Sequence, residues 1–459
     1  MNRIAGLAAL VAVLAIPAGI SAQQKEPPDT KQTKDMEKFL GLAMMRQTPE
    51  QKRPLYEQAV KPMTEAMEKN PDNAKVWFLA AQVYAGLNDF VGADSAFRKA
   101  EALYAPYAEE LAAEREVAWI GAFQAASAGL ESINTAPDEV TRTQKTNEVI
   151  AAFELAERIY PHRPEGKLNL GALYANIGET DKAEEAFRGV IEAANGPLKD
   201  QLSPEDALSW DRYAAIATTN IAQMAGSRGI EAFQAEKYDE AAAHFEKAAQ
   251  VNPHSRDYVY NHAQAVYAKV TQIEDERNKL LEEAAELTKA KKTADAAAKK
   301  AEADKLGQEL VPMYAKIIEG IEKTLQLDPE GEGHHQLIAR SIKLTGDIVA
   351  KTAADSTQYQ QRTLAALQKR EAQQFEVNDI AAFAAADGET ATIRGTVKNL
   401  KAAAGSQIRL KFTLVDLTGE VVGEQEVSVA APAADATAPF EVVTNISGEV
   451  AGWKYVVVQ

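Results

Sequence analysis

Cysteine is absent from the 459 residues of the chain. Its absence excludes disulfides, thiolate nucleophiles, Cys-ligated zinc and a lipid-modified N-terminal cysteine. Positive charge is in deficit, with 50 Lys+Arg against 67 Asp+Glu and a formal net charge of −17. That balance argues against wholesale neutralisation of nucleic-acid phosphates, and an anionic membrane surface would repel the chain. No apolar run long enough to span a bilayer occurs after residue 22. The remaining composition, 46% hydrophobic and 25% charged residues, is ordinary for a soluble globular protein. The length allows about three domains.

Residues 1–22 read MNRIAGLAALVAVLAIPAGISA. Arg3 supplies a positive start, and Pro17 breaks the apolar run before the small residues Ser21 and Ala22. The run from Ile4 to Ile16 is 13 residues, short of the ~20 that a membrane span requires. The pattern predicts a secretory signal cut after Ala22, which leaves a mature chain of charge −18 because Arg3 is removed. The expected location is the bacterial periplasm or outside the cell, and residues 23–34 (QQKEPPDTKQTK) read as a flexible leader.

The next signal is repetition. Residues 74–106 read AKVWFLAAQVYAGLNDFVGADSAFRKAEALYAP, and residues 222–253 read AQMAGSRGIEAFQAEKYDEAAAHFEKAAQVNP. Trp77, Ala81, Tyr84, Ala93, Phe97 and Ala100 recur in kind at Gly171, Tyr174, Ala183 and Phe187, and at Ala241, Phe245, Ala248 and Pro253. Weaker copies end at Pro71 (Ala59, Met63, Ala66), Pro161 (Phe153, Ala156) and Pro329 (Ile317, Ile321). These positions resemble the tetratricopeptide (TPR) family, whose 34-residue unit is a helical hairpin. Small Ala and Gly let the paired helices approach, while the aromatic fills the gap between hairpins. The resemblance implies an α-solenoid, expected over residues 35–255.

The spacing of closing prolines departs from 34. Pro253 and Pro329 lie 76 residues apart, an excess of 42, and no Pro or Gly falls between Pro253 and Gly307. The excess predicts a hairpin over residues 256–329 with about three extra heptads per arm, projecting ~32 Å, its tip near 289–293. Its expected seam is Val266, Val270, Ile273, Leu280, Ala284 and Leu287 on the way up, and Ala298, Ala301, Leu310, Met313 and Ile317 on the way down. Similar excesses before Pro161 and Pro253 predict lengthened arms there too. Residues 330–373 read as a capping helical pair with Ser356 as a helix start.

From Glu389 the period changes to strict alternation, as in TATIRGTV, QIRLKFTLVD and WKYVVV, which predicts a small antiparallel β-sandwich over residues 374–459. Phe412, Leu414, Asp416 and Gly419 resemble the FxLYD family of bacterial immunoglobulin-like domains, with Val where that family prefers an aromatic, and Gly395, Asn399, Phe440 and Tyr455 fit its outline. Asp416 to Gly419 reads as a hairpin turn with the carboxylate bonding nearby backbone. The fold class is therefore mainly α, a TPR-like solenoid with one long projecting hairpin, followed by the sandwich.

No nucleophile elbow, Walker loop, dinucleotide glycine pattern or zinc-binding His-Glu-x-x-His occurs. A solenoid also leaves its side chains on an open surface, where pKa tuning by desolvation is hard to arrange. No catalysis, cofactor or metal is expected. His334 and His335 follow Asp-Pro-Glu-Gly-Glu-Gly and read as the opening of a helix, since consecutive helical positions do not face one ion.

Two sets of residues are candidate sites. At the hairpin tip Lys289, Lys291, Lys292, Lys299 and Lys300 stand against Asp295 alone, an electrostatic patch for an acidic partner or phospholipid, or simply a solvated end. On first helices the repeat register places Phe78, Gln82, Asn169, Tyr260, Asn261 and Gln264 on the concave face, where amides pair with an extended ligand backbone. No Lys and Arg set for a terminal carboxylate accompanies them. The expected function is an exported, non-catalytic adaptor for envelope or secreted proteins. The alternatives are a glycan- or matrix-binding module acting through the sandwich, where Trp453 and Tyr455 share a face, and a self-assembling structural repeat.

Overall fold

The computed structural model describes residues 26–350, 356–385 and 388–458. The expected secretory signal lies outside the described residues. Contacts divide the chain into two compact units, Met1–Ala217 and Thr218–Gln459.

The first unit is helical: α1 (Lys31–Met44), α2 (Pro49–Lys69), α3 (Ala74–Gly86), α4 (Phe90–Leu103), the single turn α5 (Tyr107–Glu110), α6 (Ala112–Asn134), α7 (Glu139–Ile159), α8 (Pro164–Asn176), α9 (Thr180–Ala194) and the start of α10 (Pro204–Gln234). Polar residues start several of them. Asn73, Asp89 and Asp138 accept from the backbone N–H of Lys75, Gly92 and Thr141, satisfying donors that a helix start leaves open. Helices pair as α1–α2, α3–α4, α6–α7 and α8–α9. Ala81, Ala93, Phe97 and Ala100 are fully buried in one shared core. At Gly171 an added Cβ would stand 2.6 Å from the Phe187 ring, so only glycine lets α8 and α9 close.

Two expectations change here. Residues 31–34, assigned to the flexible leader, form the first turn of α1, because Thr30 and Thr33 make a reciprocal capping box. The preceding residues are held as well: Asn73 Nδ2 donates to the Pro28 carbonyl, and Asp29 pairs with Lys75. The extra length before Pro161 does lie in two long arms, α6 and α7, of 23 and 21 residues. Before Pro253 it lies in one arm, because α10 has 31 residues and its partner α11 only 14.

The second unit continues with the end of α10, then α11 (Tyr238–Val251), α12 (Arg256–Lys289), α13 (Thr293–Leu327), α14 (His334–Ala350), α15 (Thr357–Ala372) and strands β1 (Phe375–Ala384), β2 (Thr390–Asn399), β3 (Gln407–Val415), β4 (Val421–Ala430), β5 (Thr437–Asn445) and β6 (Gly452–Val458). The α12–α13 hairpin turns over at residues 290–292, with Lys291 in the left-handed region at φ 61°. On α12 the buried seam includes Val266, Val270 and Ala284. On α13 the sequence reading slips: Ala298 and Ala301 are exposed. From Ala303 onward the buried residues include Gly307, Leu310, Tyr314, Ile317 and Ile321, a continuous 3-4 spacing once glycine and tyrosine are admitted as seam residues. Ser356 precedes α15, but its side chain makes no capping bond.

The six strands form two three-stranded antiparallel sheets, β1-β2-β5 and β4-β3-β6. On β3, Ile408, Leu410, Phe412 and Leu414 alternate inward onto Val377, Ile393, Phe440 and Tyr455. Asp416 closes the β3–β4 turn, its Oδ1 accepting from the N–H groups of Thr418 and Glu420, with Gly419 at φ 88°. Desolvation, the largest influence on its carboxyl, acts to raise it, but the bonds from the Thr418 hydroxyl and these backbone donors together hold it below the usual range.

A buried polar cluster fastens the sandwich to the base of the long hairpin. Asp328, 1% exposed, ends α13; its Oδ2 accepts from Arg256 Nε at 3.0 Å and its Oδ1 from the Tyr455 hydroxyl at 2.8 Å. Tyr455 Oη accepts in turn from the backbone N–H of Glu330, whose carbonyl takes Val377 N–H and Gln373 Nε2. Asn252 Nδ2 donates to the Ala451 carbonyl at 2.8 Å. A side chain on Gly452 would collide with the backbone of His254. His334 opens α14, fully buried, its Nδ1 3.2 Å from the Asp328 carbonyl oxygen and its Nε2 3.3 Å from Arg256. Burial, then the Arg256 charge, lowers its pKa to about 4, so the ring is neutral. His335 turns away to bond the Pro329 carbonyl.

Candidate protein-interaction cleft

The cleft is built from the end of α10 together with α11 and α12. Ala241, Phe245 and Ala248 form the buried stripe of α11. Gly229 lets α10 lie against it, since a Cβ there would stand 2.7 Å from Cε1 of Phe245. Gly226 makes the same allowance for Tyr258 of α12. Phe233 stacks edge-on against Tyr238 at 5.3 Å, and an ion pair of 2.8 Å between Lys269 and Asp239 ties α11 to α12.

Between them lies an open cleft of about 280 Å³ lined by Ile230, Phe233, Gln234, Phe245, Asn261 and Gln264. Its apolar lining is Ile230, 48% exposed, with Phe233 and the buried Phe245. Its rim is three side-chain amides, and no lining residue carries charge. Gln264 Nε2 donates to the Tyr260 hydroxyl, which leaves Gln264 Oε1 available as an acceptor beside the Asn261 amide. An apolar floor with neutral donors and acceptors suits one apolar side chain and the peptide units flanking it.

The sequence-predicted groove residues are distributed unevenly. Asn261 and Gln264 line this cleft together. Tyr260 lies one turn from Gln264 but points its ring toward Arg256, at 4.8 Å, and His334, at 4.9 Å. In the first unit, Phe78 packs its ring 4.5 Å from that of Tyr107, and Gln82 donates to Glu114 Oε1. Asn169 donates to the Glu165 carbonyl of its own helix, which engages one of its two amide N–H groups. Sequence reasoning missed Ile230, Phe233 and Gln234. The available signal was the GIEAFQ stretch, with apolar residues three apart beside Gly229.

At the hairpin tip, Lys289 pairs with Glu286 and Lys299 with Glu283 and Glu302. Acidic residues just below the tip thus neutralise part of the patch, while Lys291 and Lys292 are exposed. On the sandwich, Tyr455 is buried and Trp453 packs half-buried against the core, so the pair forms no exposed platform for sugar stacking. No described helix is long and apolar enough to cross a membrane, and no cluster of metal-ligating side chains occurs among the described residues.

Tetratricopeptide repeat families match residues 164–196, covering α8 and α9, and residues 227–298, running from the end of α10 into α13. Comparison with curated proteins returns no match. Among solved structures, the chain is similar to a thermophilic TPR protein of Thermus thermophilus, at 17% identity over 51% of this chain and 99% of that one, TM-score 0.17. It is similar to YrrB, a TPR protein with an unusual peptide-binding site, at 15% identity over 61% and 97% of the two chains, TM-score 0.20. It is also similar to PilW, a type IV pilus biogenesis factor, at 16% identity over 61% and 96%, TM-score 0.17. Repeats of this kind present extended surfaces for binding other proteins. Tetratricopeptide-repeat sequence thus occupies residues 164–196 and 227–298, the second stretch containing the whole cleft lining.

Proposed function

We propose that the chain is an exported, non-catalytic adaptor that binds protein partners in the bacterial cell envelope through the α10–α12 cleft. The observation that carries this reading is the lining itself: exposed Ile230 with Phe233 and Phe245, accompanied by the uncharged amides of Gln234, Asn261 and Gln264. Such a surface holds an extended segment by one apolar anchor and backbone hydrogen bonds. The C-terminal sandwich is, in this reading, an FxLYD-like domain, supported by Phe412 and Leu414 in the core and Asp416 closing the turn. The inward Trp453 and Tyr455 weigh against the glycan-binding alternative.

The test is a peptide array probed with the full chain. Ile230→Asp and Asn261→Ala are each expected to weaken the bound peptides about tenfold or more, the effect of ~1.4 kcal/mol, with circular dichroism unchanged. Equal binding by both variants would place the interaction elsewhere. Export is tested by mass spectrometry of the protein from its native cell, with an N terminus at Gln23 expected and an intact Met1 form contradicting it.

A further inference from the structure

One face of α12 joins the cleft to the sandwich. Arg256, Tyr260 and Gln264 recur every four residues and so stack along a single helix face. Gln264 lines the cleft and donates its amide N–H to the Tyr260 hydroxyl. The Tyr260 ring lies 4.8 Å from the Arg256 guanidinium and 4.9 Å from the His334 ring. Arg256 bonds Asp328, Asp328 accepts from Tyr455 of β6, and Tyr455 Oη accepts from the backbone of Glu330. Each link is a hydrogen bond or ring contact within the second unit. The cleft and the sandwich therefore share one continuous set of side chains, although none of the cleft-lining residues belongs to the sandwich.

We propose that occupancy of the cleft and docking of the sandwich on the hairpin base are positively coupled through Gln264, Tyr260, Arg256, Asp328 and Tyr455. The proposal rests on the cleft being the binding site. With one amide N–H engaged by Tyr260, Gln264 offers a ligand its Oε1. A peptide N–H bonded there fixes and polarises the amide, which strengthens the bond on its other side and holds Tyr260 over Arg256. Arg256 then stays aligned with Asp328, and Asp328 with Tyr455. By linkage the effect is reciprocal: a firmly docked sandwich tightens ligand binding by the factor by which the ligand tightens docking.

The chain of contacts is tested without a ligand, by hydrogen exchange in the full-length protein at the Glu330 and Val377 amides, which bond across the joint. Gln264→Leu is expected to speed exchange at both by about fivefold or more, although Gln264 touches neither. In a Tyr455→Phe background the same substitution is expected to add little, because the chain is already cut. Asn261→Ala, which alters the same cleft off the chain, is expected to leave both amides unchanged. Unchanged exchange in Gln264→Leu, multiplicative effects in the double variant, or an equal effect from Asn261→Ala would each overturn the proposal. Failure of the peptide array would instead refute the cleft as a binding site, whatever the exchange result.

Discussion

A methyl group at Gly229 would meet the Phe245 ring at 2.7 Å, closer than carbon atoms pack, so this residue sets how near α10 lies to α11. Gly229→Ala is expected to destabilise the chain by about 1–3 kcal/mol through overpacking, read as an earlier urea midpoint of the helical signal. Positions of this kind were legible in the sequence, because the repeat pattern of small residue and aromatic is a record of buried contacts. Ala81, Ala93, Phe97, Ala183, Ala241 and Ala248 are all fully buried. Trp77 behaves differently: it is half-buried and donates its indole N–H to the Pro71 carbonyl at 2.7 Å. The roles of Phe78 and Gln82 were not legible, since their partners Tyr107 and Glu114 belong to later helices.

At the scale of elements, the joint between sandwich and hairpin holds two groups that titrate in opposite senses. Burial, reinforced by the neighbouring Asp328 and partly offset by a bond from Gln373, raises the Glu330 carboxyl from 4.5 to about 7. Its contribution to stability is full below pH 4.5 and lost as pH rises through 7. His334 is lowered from 6.5 to about 4, so its contribution is full above pH 6.5 and lost as pH falls toward 4. Between pH 4.5 and 6.5 the two slopes oppose each other. Glu330→Gln removes one of them, together with the repulsion between the Glu330 and Asp328 carboxylates. The variant's melting temperature is expected to rise more steeply with pH than wild type across that window. Parallel melting curves against pH would show that Glu330 does not titrate there. The length of the hairpin was readable from proline spacing, because Pro253 and Pro329 each follow a helix C-cap, whereas Pro312 lies inside α13 and marks no boundary. On its descending seam Leu310 and Ile317 were readable, but Ala298 and Ala301 were not the buried positions, because the contacts there run through Ala296, Ala303 and Gly307.

For the molecule as a whole, a charge of −17 repels polyanions, yet no charged side chain lines the cleft. Peptide binding is therefore expected to change little between low and high salt, because screening acts on charge pairs. Isothermal titration of an array-derived peptide at two ionic strengths measures this, and a steep loss with salt would direct attention to the lysine tip. That tip is itself less basic than its sequence window implies, since Glu283, Glu286 and Glu302 reach Lys289 and Lys299 from outside the window.

The sequence alone determined the helical hairpins, the long arm and the alternating strands, because each rests on local periodicity and on residues that pack within one repeat. Tertiary structure decided how Arg256, Asp328, His334 and Tyr455 come together, although 199 residues separate the first from the last. No local pattern encodes that meeting. It arises where the sandwich closes over the base of the hairpin, and the buried Asp328 carboxylate is tolerated there because α12 and β6 supply its partners.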